Sequence, residues 1–494
     1  MSQGRELKWD AALYAAGAAV AGAAALSDRI PLQRDWGRMA LVPYVAGAIA
    51  ALALARVGTR VVARARMGLA AAVLVGAAFL PMALEVWWRA RDGFAGHVQS
   101  ETLVTEESAL ALLGGQDPYA ASFASGPLGS WPPGTADHVP YLPGMFAFGV
   151  PRAVAGDVPF TDARLAFAVA SVTALALALW LARSPPARGL TAVIVVLALP
   201  TGARYMAGGG DDVTVLSMML LSLVLLRQEE PVAAGLAAGL AAAIKQTAWP
   251  LLPFLILAAR DREGRRASGR TLAAASAVML PFIAPFVVWN PTAFVQDVVL
   301  FPLGLARQPT LAASPTLGTL LADALSLPKG VVAGALLLIV LLVAGYLAFL
   351  RPPTDARGAA ERTALVMLLA ILLATAGRFG YLLYPIGLFA WGPAGPRAGA
   401  ARKCGDERRY PDAKMEVHPG GCPSGQRERS VKSPAKPTEV RILPLPPTDR
   451  PPTCLTHSLT NPKQGVFVVA AHCRRRAHGA MALNLLSYFA SFRR

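Results

Sequence analysis

The sequence predicts an all-α, polytopic membrane protein of about twelve transmembrane or re-entrant helices with a long structured outer loop, and three observations carry that class. Of its 494 residues, 54% are hydrophobic and only 16% are charged, where an ordinary soluble protein carries about a quarter. Apolar runs close to the ~20 residues needed to cross a bilayer recur along the chain: Asp10–Ser27, Met39–Ala55, Met67–Trp88, Leu165–Ala182, Thr271–Trp289, Gly330–Leu350 and the shorter Thr363–Gly377. Arginines cluster in the gaps between them, at Arg56, Arg60, Arg64 and Arg66, at Arg260, Arg262, Arg265, Arg266 and Arg270, and at Arg351, Arg357 and Arg362. Short Arg-rich connections mark the cytoplasmic side of a membrane protein. The formal charge of +17 therefore implies a bilayer partner and no nucleic acid.

Residues 1–66 read as an N-terminal helical pair. Arg5 and Lys8 precede the apolar Ala11–Leu26 in the manner of a signal peptide, but Glu6 and Asp10 dilute the basic region and further spans follow, so this is read as the first span. Threading then alternates from the Arg-rich gaps. The N-terminus is inside, Arg89–Asp162 outside, Arg183–Arg188 inside, Thr201–Asp212 outside and Arg227–Glu230 inside. Residues 260–270 are again inside, Asn290–Lys329 outside, and 351–362 and the C-terminus inside. The predicted location is thus the cytoplasmic membrane, multi-pass, with the main body over residues 67–396.

Alternation requires two crossings between Glu230 and Arg260, about thirty residues, where two full spans need ~40. The segment "PVAAGLAAGLAAAIKQTAWPLLPFLILAAR" is accordingly a short or re-entrant hairpin with Lys245 at its tip. Small residues at Ala233, Gly235, Ala238 and Gly239 permit close helix contact. Short helices of this kind line a cavity and do not face lipid. A buried Lys245 requires an anionic partner.

"GGGDDVTVLSMMLLSLVLL", Gly208–Leu226, sets two adjacent carboxylates before an apolar run. Asp211 and Asp212 fall at the outer mouth and N-terminus of a span, where the helix dipole favours negative charge, and the glycines let the backbone turn. One cap needs one carboxylate. The pair balances Lys245, binds hydroxyls of a substrate, or holds a divalent ion, and the residues leave these open.

In the outer loop, "ETLVTEESALALLGGQDPYA", Glu101–Ala120, begins with a short interfacial helix carrying an apolar stripe at Ala109, Leu112 and Leu113. Thr105 is placed to cap it, with Glu106, Glu107 and Ser108 in its first turn. "WPPGTADHVPYLPGMFAFGVP", Trp131–Pro151, suits a rigid segment at the headgroup layer.

The loop segment "LLGGQDPY" (Leu112–Tyr119), "YLPG" (Tyr141–Gly144), the hairpin "AGLAAGLAAAIKQTAWPLLPF" (Ala234–Phe254), "FPLGL" (Phe301–Leu305) and "RFGYLLYP" (Arg378–Pro385) resemble, in that order, glycosyltransferase family 87 of actinobacterial type. The likeness covers roughly Met67–Trp391. It departs from the family at "GDDV" (Gly210–Val213), where many such proteins carry Gly-Gln-x-Asn, and in having two spans before the loop. The resemblance implies a GT-C-like fold and a hexosyltransferase, mannosyltransferase-like, that takes sugar from a polyprenyl phosphate and passes it to a lipid or glycan acceptor of the cell envelope. The lack of a Walker or dinucleotide-binding signature in the body is consistent with a lipid donor.

Such a transfer requires a carboxylate base near the acceptor hydroxyl and cations or oriented amides for the leaving phosphate. The acids available are Glu101, Glu106, Glu107, Asp211 and Asp212. The resemblance places an acid in the first large outer loop and so favours Glu101 and Glu107 as catalytic residues, followed by Asp212 and Asp211. For substrate binding, Lys245 and Arg378 suit the phosphate, since an Arg holds two of its oxygens at once. Tyr381 and Tyr384 follow Arg378 on the last span, and Tyr119 and His97 in the loop complete the candidates. No metal ligand set is proposed; a divalent cation on the Asp pair is the one cofactor considered. A membrane transporter or lipid flippase, or a non-catalytic subunit of an envelope-assembly complex, is the alternative to an enzyme. The body shows no two matching hydropathy halves, and its loop is long and structured, which favours the enzyme.

Character changes near residue 400. All four cysteines (Cys404, Cys422, Cys454, Cys473) lie beyond it, as do four of six histidines and five of eight lysines. Residues 397–494 are read as a basic, disordered tail with no sustained amphipathic period from Ala401 to Pro462. A second reading is a frameshift or read-through product. Val440-Arg441-Ile442 is what one frame of GGTTCGAATCC, the T-arm of many tRNA genes, encodes. Cys454-x-x-His457 and His472-Cys473 lack the paired spacing of a zinc finger.

Overall fold

A computed structural model describes residues 3–28, 30–56, 62–93, 95–131, 134–182, 187–308, 310, 312, 314–391, 455–460 and 467–472. The chain divides into units Met1–Arg409 and Tyr410–Arg494, each described by itself. In the first, all described regular structure is helical. Helices α1 (Gln3–Ser27), α2 (Pro31–Leu54) and α3 (Arg64–Asp92) precede the loop. α4 (Ser100–Leu113) lies within it and α5 (Ala163–Leu181) follows. Then come α6 (Ala187–Ala198), α7 (Pro200–Gly208), α8 (Asp212–Arg227), α9 (Pro231–Ile244) and α10 (Leu251–Glu263). The last are α11 (Arg265–Trp289), α12 (Lys329–Phe349), α13 (Ala356–Leu373) and α14 (Leu383–Trp391).

Among the described residues six of these, α1, α2, α3, α5, α11 and α12, are long and apolar enough to cross a membrane. The pair α6 and α7, bent by 63°, makes a seventh if counted as one span. The expected count of about twelve took in re-entrant helices as well as spans, and six or seven is the number of spans by length and composition alone. The bend falls at Leu199, because Pro200 lacks an N–H and disfavours helical backbone in the residue before it. The helices of the central body are instead short: α8 has 16 residues, α9 has 14 and α10 has 13. Nearly every residue of α8 is buried in protein, the setting in which a short helix avoids lipid.

The sequence extends its first helix back to Gln3 because Asp10 finds a partner. Arg66 at the start of α3 donates to Asp10 at 2.5 Å and to Glu6 at 2.6 Å. Arg262 donates to Glu229 at 3.0 Å, so the α8–α9 and α10–α11 connections lie at one end of the bundle.

The hairpin is as the small residues predict. α9 ends at Ile244, Lys245 has extended backbone, and α10 starts at Leu251. A Cβ on Gly235 would stand 2.4 Å from Thr271 O, and one on Gly239 would stand 2.5 Å from Ala275 O, both backbone atoms of α11. We expect Gly239→Val to force α9 from α11 and lower the melting temperature of detergent-solubilised protein, at a cost of about 1–3 kcal/mol. Gly334→Val on α12, where a Cβ meets nothing within 4 Å, is the control. An equal loss in both variants would show that close packing is not what this glycine supplies.

The loop between α3 and α5 is tied down by buried charge. Arg89 donates to Glu106 at 2.6 Å and to Asp162 at 2.8 Å, Arg164 donates to Asp162 at 2.8 Å, and Glu106 also accepts the Ala163 N–H at 3.0 Å. Arg164 holds the Asp162 carboxyl at about 2, against the burial that would raise it. α4 starts at Ser100, five residues before the predicted cap. Thr105 instead donates to Glu101 O at 2.8 Å within the helix. Glu106 is therefore a structural ion-pair residue.

In the second unit, strands β1 (Leu455–Thr460) and β2 (Phe467–His472) pair antiparallel, with Leu455 opposite His472. The sequence reading took this stretch as lacking regular structure. "LTHSLT" and "FVVAAH" are too short for a helical period, and the threonines of the first and the valines and phenylalanine of the second are residues that favour strands. The rest of the tail reading, including Cys404, Cys422, Cys454, Cys473 and Val440–Ile442, lies outside the described residues.

Candidate active site

The "GGGDD" turn builds one wall of a cavity. α7 ends at Gly208, and Gly209 takes φ +106°, a left-handed conformation that favours glycine. A Cβ there would stand 2.0 Å from Thr102 Oγ1, which instead donates to Gly209 O at 3.0 Å. Gln99 N donates to Gly208 O at 2.8 Å. The turn thus docks the loop helix α4 against the start of α8 and brings Glu101 to the Asp pair's side of the protein.

Asp211 precedes α8 but makes no side-chain cap hydrogen bond, so the capping reading is set aside for it. Both carboxylates go to Lys245. Its Nζ donates to Asp211 Oδ1 and to Asp212 Oδ1, each at 2.6 Å. Lys245 is 5% exposed and Asp211 1%, so each charge is buried only because the other is there. Tyr384 Oη donates to Asp212 Oδ1 at 2.7 Å, and Thr247 Oγ1 donates to Tyr384 Oη at 2.9 Å. The Lys245 ammonium also lies 5.5 Å from the ring centroids of both Tyr141 and Tyr381, within cation–π range. Asp211 Oδ2 is buried and has no partner among the described residues.

The second ionic pair faces the same space. Arg378 Nη1 donates to Glu101 Oε1 at 2.5 Å, across 277 residues of chain. Burial acts to raise the Glu101 carboxyl, but the adjacent Arg378 outweighs it and holds the group below the usual carboxylate range. Glu101, Tyr141, Asp211, Asp212, Lys245 and Arg378 line one cavity of about 170 Å³, with Tyr381, Tyr205 and Thr247 completing its polar wall. Among the described residues no three His, Cys, Asp or Glu side chains gather as metal ligands.

Several predicted residues lie elsewhere. Glu107 sits beside Gly126 and is not part of the lining, because α4 starts early and turns that position toward the loop. His97 is fixed to α3, its Nδ1 2.8 Å from Glu85 and its ring 5.7 Å from Trp88. Tyr119 is buried among Phe146, Phe286 and Phe294 and donates to Tyr141 O at 2.8 Å, so it positions Tyr141 and does not line the cavity. The sequence reading named neither Tyr141, although it opens "YLPG", nor Tyr205, Thr247, His138 and Asp297, which carry no local signal.

A helical membrane bundle that buries two cations among three carboxylates around one cavity defines an integral-membrane protein with a reactive centre. Residues 140–375, just under half of the chain, match glycosyltransferase family 87, and the match supports that family and an enzyme that is a glycosyltransferase. No curated protein and no solved structure matches it. Asp211, Asp212 and Lys245 fall inside the matched residues, Glu101 before them and Arg378 just after.

Proposed function

We propose that the chain is a GT-C-type enzyme that transfers a sugar, in our reading mannose, from a polyprenyl-phosphate donor to a lipid or glycan acceptor at the outer face of the cytoplasmic membrane. The observation that carries this is the convergence of Lys245 and Arg378, each already paired to carboxylate, on one cavity within a lipid-embedded bundle. A donor phosphate competes for these cations, and its affinity for them grows as charge develops on the leaving oxygen. The acceptor hydroxyl gives its proton to Asp212 as its oxygen bonds to the sugar's anomeric carbon. The bond from that carbon to the phosphate oxygen breaks, and polyprenyl phosphate leaves with the electron pair.

Three carboxylates against two cations leave the cavity with one formal negative charge. A bound phosphodiester adds another, making two, and Asp211 Oδ2, unpartnered among the described residues, is where a proton would offset one of them or a divalent ion both. The test is incubation of membranes containing the protein with labelled polyprenyl-phosphate mannose, with and without EDTA, followed by lipid analysis. Label should pass to a new lipid or glycan with release of polyprenyl phosphate. Label that moves only when a nucleotide sugar is supplied would sink the donor assignment, and loss of transfer in EDTA would choose the divalent ion over the proton.

A further inference from the structure

Beside the main cavity is a smaller annex of about 40 Å³ that shares Glu101, Tyr141 and Arg378 with it and is closed by Thr135 and His138. Its size is close to that of one water-sized group. Its two closing residues are buried, Thr135 at 9% and His138 at 8% exposed, and among the described residues each ends in an unsatisfied polar atom, Thr135 Oγ1 and His138 Nε2. Buried polar groups are nearly always paired, and an exception calls for a partner absent from the chain itself.

The histidine is held in position. Asp297, in the helical turn Gln296–Leu300, lies with Oδ1 2.6 Å from His138 Nδ1 and accepts the Val139 N–H through Oδ2 at 2.7 Å. The ring lies over Phe301, 4.4 Å between centroids. A carboxylate accepts, so the tautomer that serves Asp297 carries its hydrogen on Nδ1 and leaves a lone pair at Nε2. A hydroxyl group fits this arrangement in both roles, donating to Nε2 and accepting from Thr135.

We propose that Thr135 and His138, positioned by Asp297, form a hydroxyl-binding subsite that seats one sugar hydroxyl of a substrate next to the Glu101–Arg378 pair. The subsite rests on the sugar-transfer reading above. The hydroxyl belongs either to the acceptor or to the transferred sugar, and the experiment separates the two.

The full chain in lipid nanodiscs is titrated with polyprenyl-phosphate mannose and, separately, with octyl mannoside, and its melting temperature is recorded. Thr135→Val breaks no hydrogen bond of the side chain and removes an unsatisfied polar atom, so the melting temperature should hold or rise. His138→Asn keeps an N–H for Asp297 and removes Nε2. Each variant should weaken binding of one probe at least tenfold. Loss confined to octyl mannoside assigns the subsite to the acceptor, and loss confined to the donor assigns it to the transferred sugar. Unchanged affinity for both probes, or a wild-type chain that binds neither, overturns the subsite. Should His138→Asn fail to fold, Thr135→Val decides alone. A wild-type chain that binds the donor but transfers no mannose defeats the function proposed above, while the binding ratio still judges the annex.

Discussion

Lys245→Met is expected to remove most folded protein from the membrane. Methionine matches the lysine stem in length but leaves Asp211 and Asp212, adjacent in sequence and both 2.6 Å from the lost ammonium, facing each other without a counter-ion. Breaking a buried pair by deleting one partner costs about 3–5 kcal/mol, enough to consume much of the stability of an ordinary fold. Asp211→Asn alone should be mild by comparison, because Lys245 keeps Asp212 and the trio loses an excess negative charge. Combining Lys245→Met with both Asp→Asn changes should return the protein to the membrane, inactive. Yield by quantitative blotting and melting temperature in detergent check this. Normal yield of Lys245→Met would mean that the two carboxylates share a proton or another cation in the resting protein, and the trio would no longer explain why the hairpin breaks at residue 245.

Some of this was legible in the chain because it is local or forced by solvation. A lysine in a hairpin too short to span had to meet an anion because of the cost of burying charge, and the Asp pair was one candidate among several, which the structure selects. The three glycines marked the turn, and the small residues of α9 marked a close helix contact. What stayed hidden depends on packing between distant segments. Glu101 and Arg378 were each assigned a separate duty, as base and as phosphate ligand, yet they hold one another across 277 residues. His138 and Asp297 are 159 apart, and neither carries a motif. Tyr119 sat in a telling segment, but only the structure shows its hydroxyl spent on Tyr141 O. The division of the helices into spans and shorter elements also depends on packing. A length threshold set by the bilayer does not apply to α8, α9 and α10, which protein surrounds.

The Asp211–Asp212 pair also decides the chemistry, and Asp212→Asn should lose at least ~10²-fold in transfer rate with the fold intact, the lower range for a lost general base. The geometry separates it from its neighbour. Both line the cavity, but the Asp211 side chain keeps 2% of its surface open and that of Asp212 14%. Among the described residues only Asp212 Oδ1 is engaged, by Lys245 and Tyr384, which leaves Oδ2 for a substrate proton. The two donors also show how the base is kept in reserve. Lys245 and Tyr384 both occupy Oδ1, and a donor phosphate that draws Lys245 toward itself releases one of these contacts. Asparagine preserves the size of the side chain and an oxygen for Tyr384, and Lys245 retains Asp211, so melting temperature should change little while turnover falls. Asp211→Asn should retain far more activity. The pair of rates, measured on the same membranes with labelled donor, carries the conclusion. Full turnover in Asp212→Asn would return this residue to a charge partner for Lys245 and move the search for the base to Glu101. There Glu101→Gln would release Arg378, and a matching loss of donor affinity would distinguish a lost base from a displaced phosphate ligand.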